Sequence, residues 1–132
     1  MAKLTNYMEL WAIDHMFRGA SYGIVATQFV GLYTGTPSDI GDGAEVSGGG
    51  YARQPFIFNA AANIGGVGQA TSNAEISFGV ASATYGNVVA AAILDKVTGG
   101  TMLMWSGISA PKQVNINDTF KFNAGDVQIT FD

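Results

Sequence analysis

The chain contains no cysteine, and this absence excludes several kinds of chemistry. Without a thiol there is no disulfide, no thiolate nucleophile and no cysteine-ligated zinc site. Histidine occurs once, at His15, which also excludes a metal centre built from several histidines. We therefore expect no cofactor and no metal.

Charge is scarce as well, at 12% of the residues, with six Lys and Arg against ten Asp and Glu. A net charge of −4 disfavours nucleic-acid binding that relies on phosphate neutralisation. No apolar run reaches the roughly 18 residues that span a bilayer. Asn6 and Glu9 interrupt the N-terminus too early for a secretory signal, so we expect synthesis in the cytoplasm and no membrane contact.

Apolar residues and glycine are plentiful. Of 132 residues, 48% are hydrophobic and 18 are glycine, and this length indicates one domain. A small domain with so much apolar surface and so little charge usually covers part of that surface with partners.

Residues 5–18 have the periodicity of one amphipathic helix. Asn6 is a candidate N-cap with Glu9 three residues later, and Gly19 suits the C-terminal cap. The predicted buried face is formed by Leu4, Tyr7, Met8, Trp11 and His15, and it is widened by Leu10, Ile13 and Phe17.

After Gly19 the apolar period becomes two, which is typical of strands. Pro55 indicates an edge strand or a bulge, and two glycine-rich stretches, 39–50 and 59–70, are predicted loops. The pattern predicts a mainly β fold. We expect an antiparallel, jelly-roll-like β-sandwich formed by residues 21–132, with the N-terminal helix (1–20) as part of the same domain. A β-barrel fits the pattern equally well. The predicted strands are 28–34, 52–58, 75–80, 87–95, 101–107, 112–116, 119–122 and 127–131.

Few residues suggest chemistry. Asp39, Asp42 and Glu45 share a glycine-rich loop, but their spacing does not fit a calcium loop, so a solvated turn is the preferred interpretation. Two interpretations of Arg53 remain open. It could anchor this acidic loop or a neighbouring subunit through its guanidinium, or it could be an ordinary surface arginine. His15 is expected to be a packing or interface residue, and no acid pair stands out, so we expect no enzyme activity.

Several stretches resemble a family of small virion structural proteins of tailed phages, commonly labelled phage tail fibre proteins. The resemblance implies a β-sandwich structural component without catalytic residues. It rests on DHMFRG (14–19), FVGLYT (29–34) with TPSD (36–39), EVSGGGYARQ (45–54), and NDTFKF (117–122) with VQIT (127–130).

A compact chain without repeats cannot form a long fibre shaft. The preferred hypothesis is therefore a capsid decoration (cement) protein, a homotrimer in the virion that binds the major capsid protein; the alternative is a tail-fibre or tail-tip component that binds tail proteins. Either would act by burying apolar surface between copies and partners. The candidate interface residues are Tyr7, Trp11, Phe17, Tyr51 and Arg53.

Two other functions remain open at this point. A receptor-binding module could contact a host glycan through Tyr33, Tyr51, Tyr85 and Asn87, although alternation also allows these tyrosines to be core residues. A small jelly-roll hydrolase is disfavoured by the single histidine and the lack of cysteine.

Overall fold

The computed structural model describes residues 3–21, 23 and 27–131. Residues 1, 2, 22, 24–26 and 132, which the prediction included in the helical segment and the sandwich, lie outside them. The predicted mainly β, antiparallel fold with a single N-terminal helix is confirmed. The elements are β1 (Lys3–Leu4), α1 (Asn6–Phe17), β2 (Gln28–Tyr33), β3 (Gln54–Phe56), β4 (Ala62–Ile64), β5 (Val67–Thr71), β6 (Ile76–Val80), β7 (Gly86–Leu94), β8 (Met102–Val114), β9 (Thr119–Phe122) and β10 (Gln128–Phe131).

A five-stranded sheet in the order β1-β8-β7-β2-β3 forms one side of the main core. Val30, Ile93 and Met104 lie side by side on neighbouring strands, facing this core. The β6–β9 pair completes it with Phe78 and Phe120, whose rings meet edge to face. Side chains alternate along a strand, so one face of the large sheet packs against the smaller one.

The other face of the large sheet carries a second buried cluster, which includes Ala90, Ala92 and Leu94 of β7. Both faces of β7 are thus covered, as its uninterrupted apolar sequence predicts. Loop 35–53 lies over part of this second face: a side chain added at Gly43 would touch Tyr33, and one added at Gly41 would touch Met102.

The predicted loop over 59–70 is wrong, because β4 and β5 form a hairpin there. Gly65 and Gly66 both have positive φ (60° and 88°), which a two-residue hairpin turn of type I′ requires. The hairpin joins β10 in a three-stranded sheet in the order β10-β5-β4. Alanine, asparagine and glycine are poor strand formers, so the sequence signal was that of a loop.

Several boundaries also differ from the predictions. The helix begins after Thr5, which is the N-cap in place of Asn6, and Leu4 belongs to β1. The two predicted strands at 101–107 and 112–116 are one strand of 13 residues, β8, with a bulge opposite β7. Pro55 does lie on an edge strand, since β3 is last in the sheet order.

Candidate interaction surface

The start of α1 is fixed by Thr5, whose side chain is buried. Thr5 Oγ1 donates to the Met102 carbonyl at 2.8 Å and accepts from the Met8 N–H at 3.4 Å. The Asn6 N–H donates to the Asp39 carbonyl at 2.8 Å. These contacts attach the first turn to β8 and to loop 35–53, and so set the direction of the whole helix.

α1 has apolar side chains on both sides. On the inner side, Leu4 and Met8 pack against the main core, and half-buried Trp11 stacks on His15 with ring centroids 4.8 Å apart. None of the helix's 12 described residues is fully buried. We call the opposite side the outer helix face; its residues are 50–80% exposed and are Tyr7, Leu10, Ile13, Met16 and Phe17.

A second feature is an ion pair beneath loop 35–53. The Glu45 carboxylate accepts from Arg53 Nε and Nη2 at 2.7 Å each, and from the Tyr51 hydroxyl at 2.9 Å. The Tyr51 oxygen in turn accepts from the Leu32 N–H at 2.9 Å. A Cβ on Gly31 would lie 3.1 Å from Glu45 Oε1 and 3.2 Å from the Tyr51 hydroxyl, so a larger residue there would crowd this network.

The network shifts the titration of the tyrosines around it. Burial, together with the negative charge of Glu45, raises the pKa of Tyr33 to about 12. Burial also raises the pKa of Tyr51 far above its ordinary value, while the hydrogen bond to Glu45 raises the pKa of Arg53. These tyrosines therefore stay neutral and Arg53 stays charged, which makes the network a structural tie rather than an acid–base pair.

Residues 3–130 match the family described as Podophage GP4 fiber I protein gp80. The chain belongs to this family. The match spans nearly the whole described chain and confirms the resemblance to phage tail fibre proteins, so the protein is a structural component of a phage virion. No curated protein matches it.

In this gp80-family fibre protein, the five candidate interface residues fall into two groups. Tyr7 and Phe17 lie on the outer helix face, 50% and 80% exposed, and Trp11 lies on the inner side. Tyr51 and Arg53 lie elsewhere, with their polar atoms bound within the chain. Sequence reasoning had placed Leu10 and Ile13 on the buried face and had not singled out Met16.

Tyr33, Tyr51, Tyr85 and Asn87, the residues of the alternative glycan hypothesis, do not form one exposed surface. Tyr33 and Tyr85 are 3% and 5% exposed, because both pack into the cores, and Asn87 alone of the four is exposed. The acidic side chains of the 39–50 loop bind different partners. Asp42 accepts from the Ser38 N–H (3.0 Å) and hydroxyl (2.6 Å), whereas Glu45 binds Arg53.

The described residues include no group of three or more acids or histidines arranged to hold a metal ion. Nor does any helix in the described part of the chain have the length and apolar character needed to span a membrane.

Proposed function

We propose that this chain is a tail-fibre component that assembles with copies of itself through the outer helix face, and that it acts by binding without covalent chemistry. The family description names a fibre, which supports a tail location over the head decoration that its compact size had suggested. The observation that carries the proposal is the apolar outer side of α1.

A contiguous patch of exposed large apolar side chains on a helix normally marks a contact with another protein surface. The five side chains of the outer helix face expose on the order of 700 Å², close to the roughly 800 Å² that each partner contributes to a standard interface. Leaving this area in water is unfavourable, at about 25 cal/mol per Å². Contact with another helix of the same kind would remove it from water.

The spacing of the outer residues suits a small bundle. Leu10, Ile13 and Phe17 follow each other at steps of three and four, the a and d positions of a heptad, with Tyr7 and Met16 at flanking positions. Leucine at a with isoleucine at d favours assemblies of more than two helices. We therefore propose a homotrimer with three α1 helices around its axis and the β domains outside.

Native mass spectrometry of the purified chain tests this assembly. Ile13→Glu places a charge at the centre of the outer helix face and is expected to convert trimers to monomers. Ile116→Glu is the matched control, because Ile116 is similarly exposed (59% against 54%) but lies away from α1. A wild-type chain that is monomeric at micromolar concentration, or an Ile13→Glu chain that remains trimeric, would refute the proposed interface.

Copy number and position in the particle test the location. Antibody labelling and quantitative mass spectrometry of purified virions should find a few to a few dozen copies, all at the tail. Hundreds of copies over the head would instead establish the decoration function and overturn the fibre assignment.

A further inference from the structure

A cleft of about 580 Å³ opens between the five-stranded sheet and the C-terminal strand β10. Its base is apolar and is formed by Val30, Ile93 and Met104 of the large sheet and by Phe120 and Phe122 of β9. The backbone of β8, from Trp105 to Ala110, forms one side of the cleft. The backbone of β10 and of the turn before it forms the other side. Clefts of this size hold small ligands or short peptide segments.

The side formed by β10 is a free sheet edge within the described part of the chain, because β10 pairs only with β5. The Ser72 N–H donates to the Val127 carbonyl at 2.8 Å, so Val127 and every second residue after it face β5. The backbone N–H and C=O groups of Gln128 and Thr130 must then point away from β5. Both residues line the cleft.

Among the described residues, the opposite side is also an edge without a paired strand beyond Trp105. β1 pairs with β8 only as far as Trp105, and the Thr5 N–H donates to the Leu103 carbonyl at 3.0 Å. Alternation from Leu103 directs the backbone groups of Trp105 toward its partner Lys3 in β1, and those of Gly107 outward beyond the end of β1. The Gly107 carbonyl accepts the neighbouring Ser106 hydroxyl at 3.1 Å, and no other described strand pairs with it on that side.

We propose that this cleft binds an extended peptide segment of another virion protein, which pairs with β10 on one side and with β8 on the other. Strand addition of this kind obtains affinity from backbone hydrogen bonds and specificity from alternate side chains. An inserted strand would join the five-stranded and the three-stranded sheets into one. The proposal rests on the proposed fibre role only for the origin of the partner.

The cleft specifies the chemistry of its occupant. The apolar base requires apolar side chains at alternate positions. Three charged side chains line the cleft: Lys121 binds Glu75 at 3.1 Å, and Asp126 accepts from the Asn123 N–H at 2.8 Å. Lys112, over the Phe120 ring at 5.7 Å, is therefore the charge available to an occupant, which should carry a carboxylate opposite it.

A second copy of this chain is a poorer occupant. A strand that fills the cleft and pairs on both sides must have two free edges. Each described strand of this chain already pairs with at least one neighbour, so it can offer one edge at most.

The test is a titration of the isotope-labelled chain with a synthetic probe, followed by backbone-amide NMR. The probe is a capped hexapeptide of alternating valine and threonine in which one threonine is replaced by aspartate. We expect a dissociation constant on the order of 1 mM or below, with shifts at the amides of Gly107, Gln128 and Thr130. The same hexapeptide with N-methylated valines, which cannot donate, is expected not to bind.

Two proline variants locate the binding edge. Thr130→Pro removes an outward N–H of β10 without breaking its pairing with β5, and should weaken probe binding at least fivefold. Asn63→Pro is the matched control. In the type I′ hairpin, Ile64 of β4 forms backbone hydrogen bonds with β5, so the N–H of the preceding residue, Asn63, points away from β5. This N–H lies on the opposite edge of the same three-stranded sheet. This variant should bind the probe as wild type does.

Three results would overturn the proposal. The first is the absence of amide shifts at a probe concentration on the order of 5 mM, fivefold above the expected dissociation constant. The others are an N-methylated probe that binds as tightly as the unmodified one, or an Asn63→Pro variant that loses as much probe binding as Thr130→Pro. Shifts of the same amides with a neutral glucose hexasaccharide but not with the peptide would establish a sugar site instead. Concentration-dependent protection of these amides without probe would establish a second copy as occupant. None of these results depends on the outer helix face, so failure here is distinct from failure of the proposed trimer.

Discussion

Arg53 holds Glu45 with two hydrogen bonds of 2.7 Å each, from a guanidinium side chain that is only 9% exposed. The same guanidinium donates through Nη1 to the carbonyls of Lys96 and Gly99, at 2.8 and 2.7 Å. One side chain thus joins loop 35–53 to the turn between β7 and β8. The geometry resembles the planar, two-pronged recognition that lysine cannot reproduce.

Arg53→Ala is expected to destabilise the fold by about 3 kcal/mol, because it leaves the partly buried Glu45 carboxylate without its cation. Arg53→Lys should recover part of the loss by keeping the charge. The measurement is urea unfolding followed by circular dichroism. Lys121→Ala, which breaks the half-exposed pair with Glu75, is the control and should cost less than about 1 kcal/mol. Equal losses for the two alanine variants would contradict a structural role for Arg53.

Stability is expected to fall between pH 10 and pH 12, because burial raises the pKa of Tyr33 from 10.0 to about 12. In this window the unfolded tyrosine loses its proton while the folded one keeps it, so the unfolded state binds fewer protons and stability decreases with pH. Urea unfolding across the window measures the slope. Tyr33→Phe removes this contribution and should make the slope shallower, while the remaining slope comes from Tyr51 and Tyr85, whose pKa values burial also raises. An unchanged slope would show that Tyr33 ionises normally in the folded state.

Gly49→Ala is expected to cost about 3 kcal/mol, since the residue has positive φ and its new Cβ would lie 2.7 Å from the Ala83 carbonyl oxygen. Gly48→Ala is the matched control. Gly48 also has positive φ, but nothing lies within 4 Å of the added atom, so only the backbone cost of about 1 kcal/mol applies. Thermal unfolding of both variants separates the steric effect from the conformational one, and similar losses would exclude the clash.

Thr5→Val should destabilise the chain by about 2 kcal/mol, because it removes the N-cap oxygen and the donor to the Met102 carbonyl while keeping the side-chain shape. Thr5→Ser retains the hydroxyl and should lose only about 1 kcal/mol, for the buried methyl group. Urea unfolding compares the two, and helix content measured by circular dichroism is expected to decrease in the valine variant alone. A valine variant as stable as the serine variant would argue against the cap.

The strands that sequence reasoning located correctly have alternating apolar residues or a continuous apolar run, as in β6 and β7. The hairpin of β4 and β5 was missed because its strands consist largely of alanine, glycine, asparagine and glutamine. Its stability comes from the turn at Gly65 and Gly66 and from pairing with β10, whose sequence lies almost 60 residues further along the chain. Pairing partners so distant leave no local pattern.

The candidate sites divide in the same way. Sequence reasoning placed Tyr7 and Phe17 on one predicted buried face with Leu10 and Ile13 and proposed only Tyr7 and Phe17 of these four as contact residues. Heptad spacing alone does not say which side of a helix meets its own domain. That side is fixed by Thr5, whose hydroxyl bonds to β8 and sets the rotation of α1. The cleft between β8 and β10 was not predicted, since its two sides come from strands in different sheets.

By itself the sequence determined the class of fold. Two-residue periodicity after Gly19 and a single stretch of helical periodicity before it predict an antiparallel β fold with one N-terminal helix. Only the tertiary structure decided which apolar residues remain in water and which strand edges remain unpaired. Those properties depend on how distant segments pack and pair, and the composition of any one segment does not contain them.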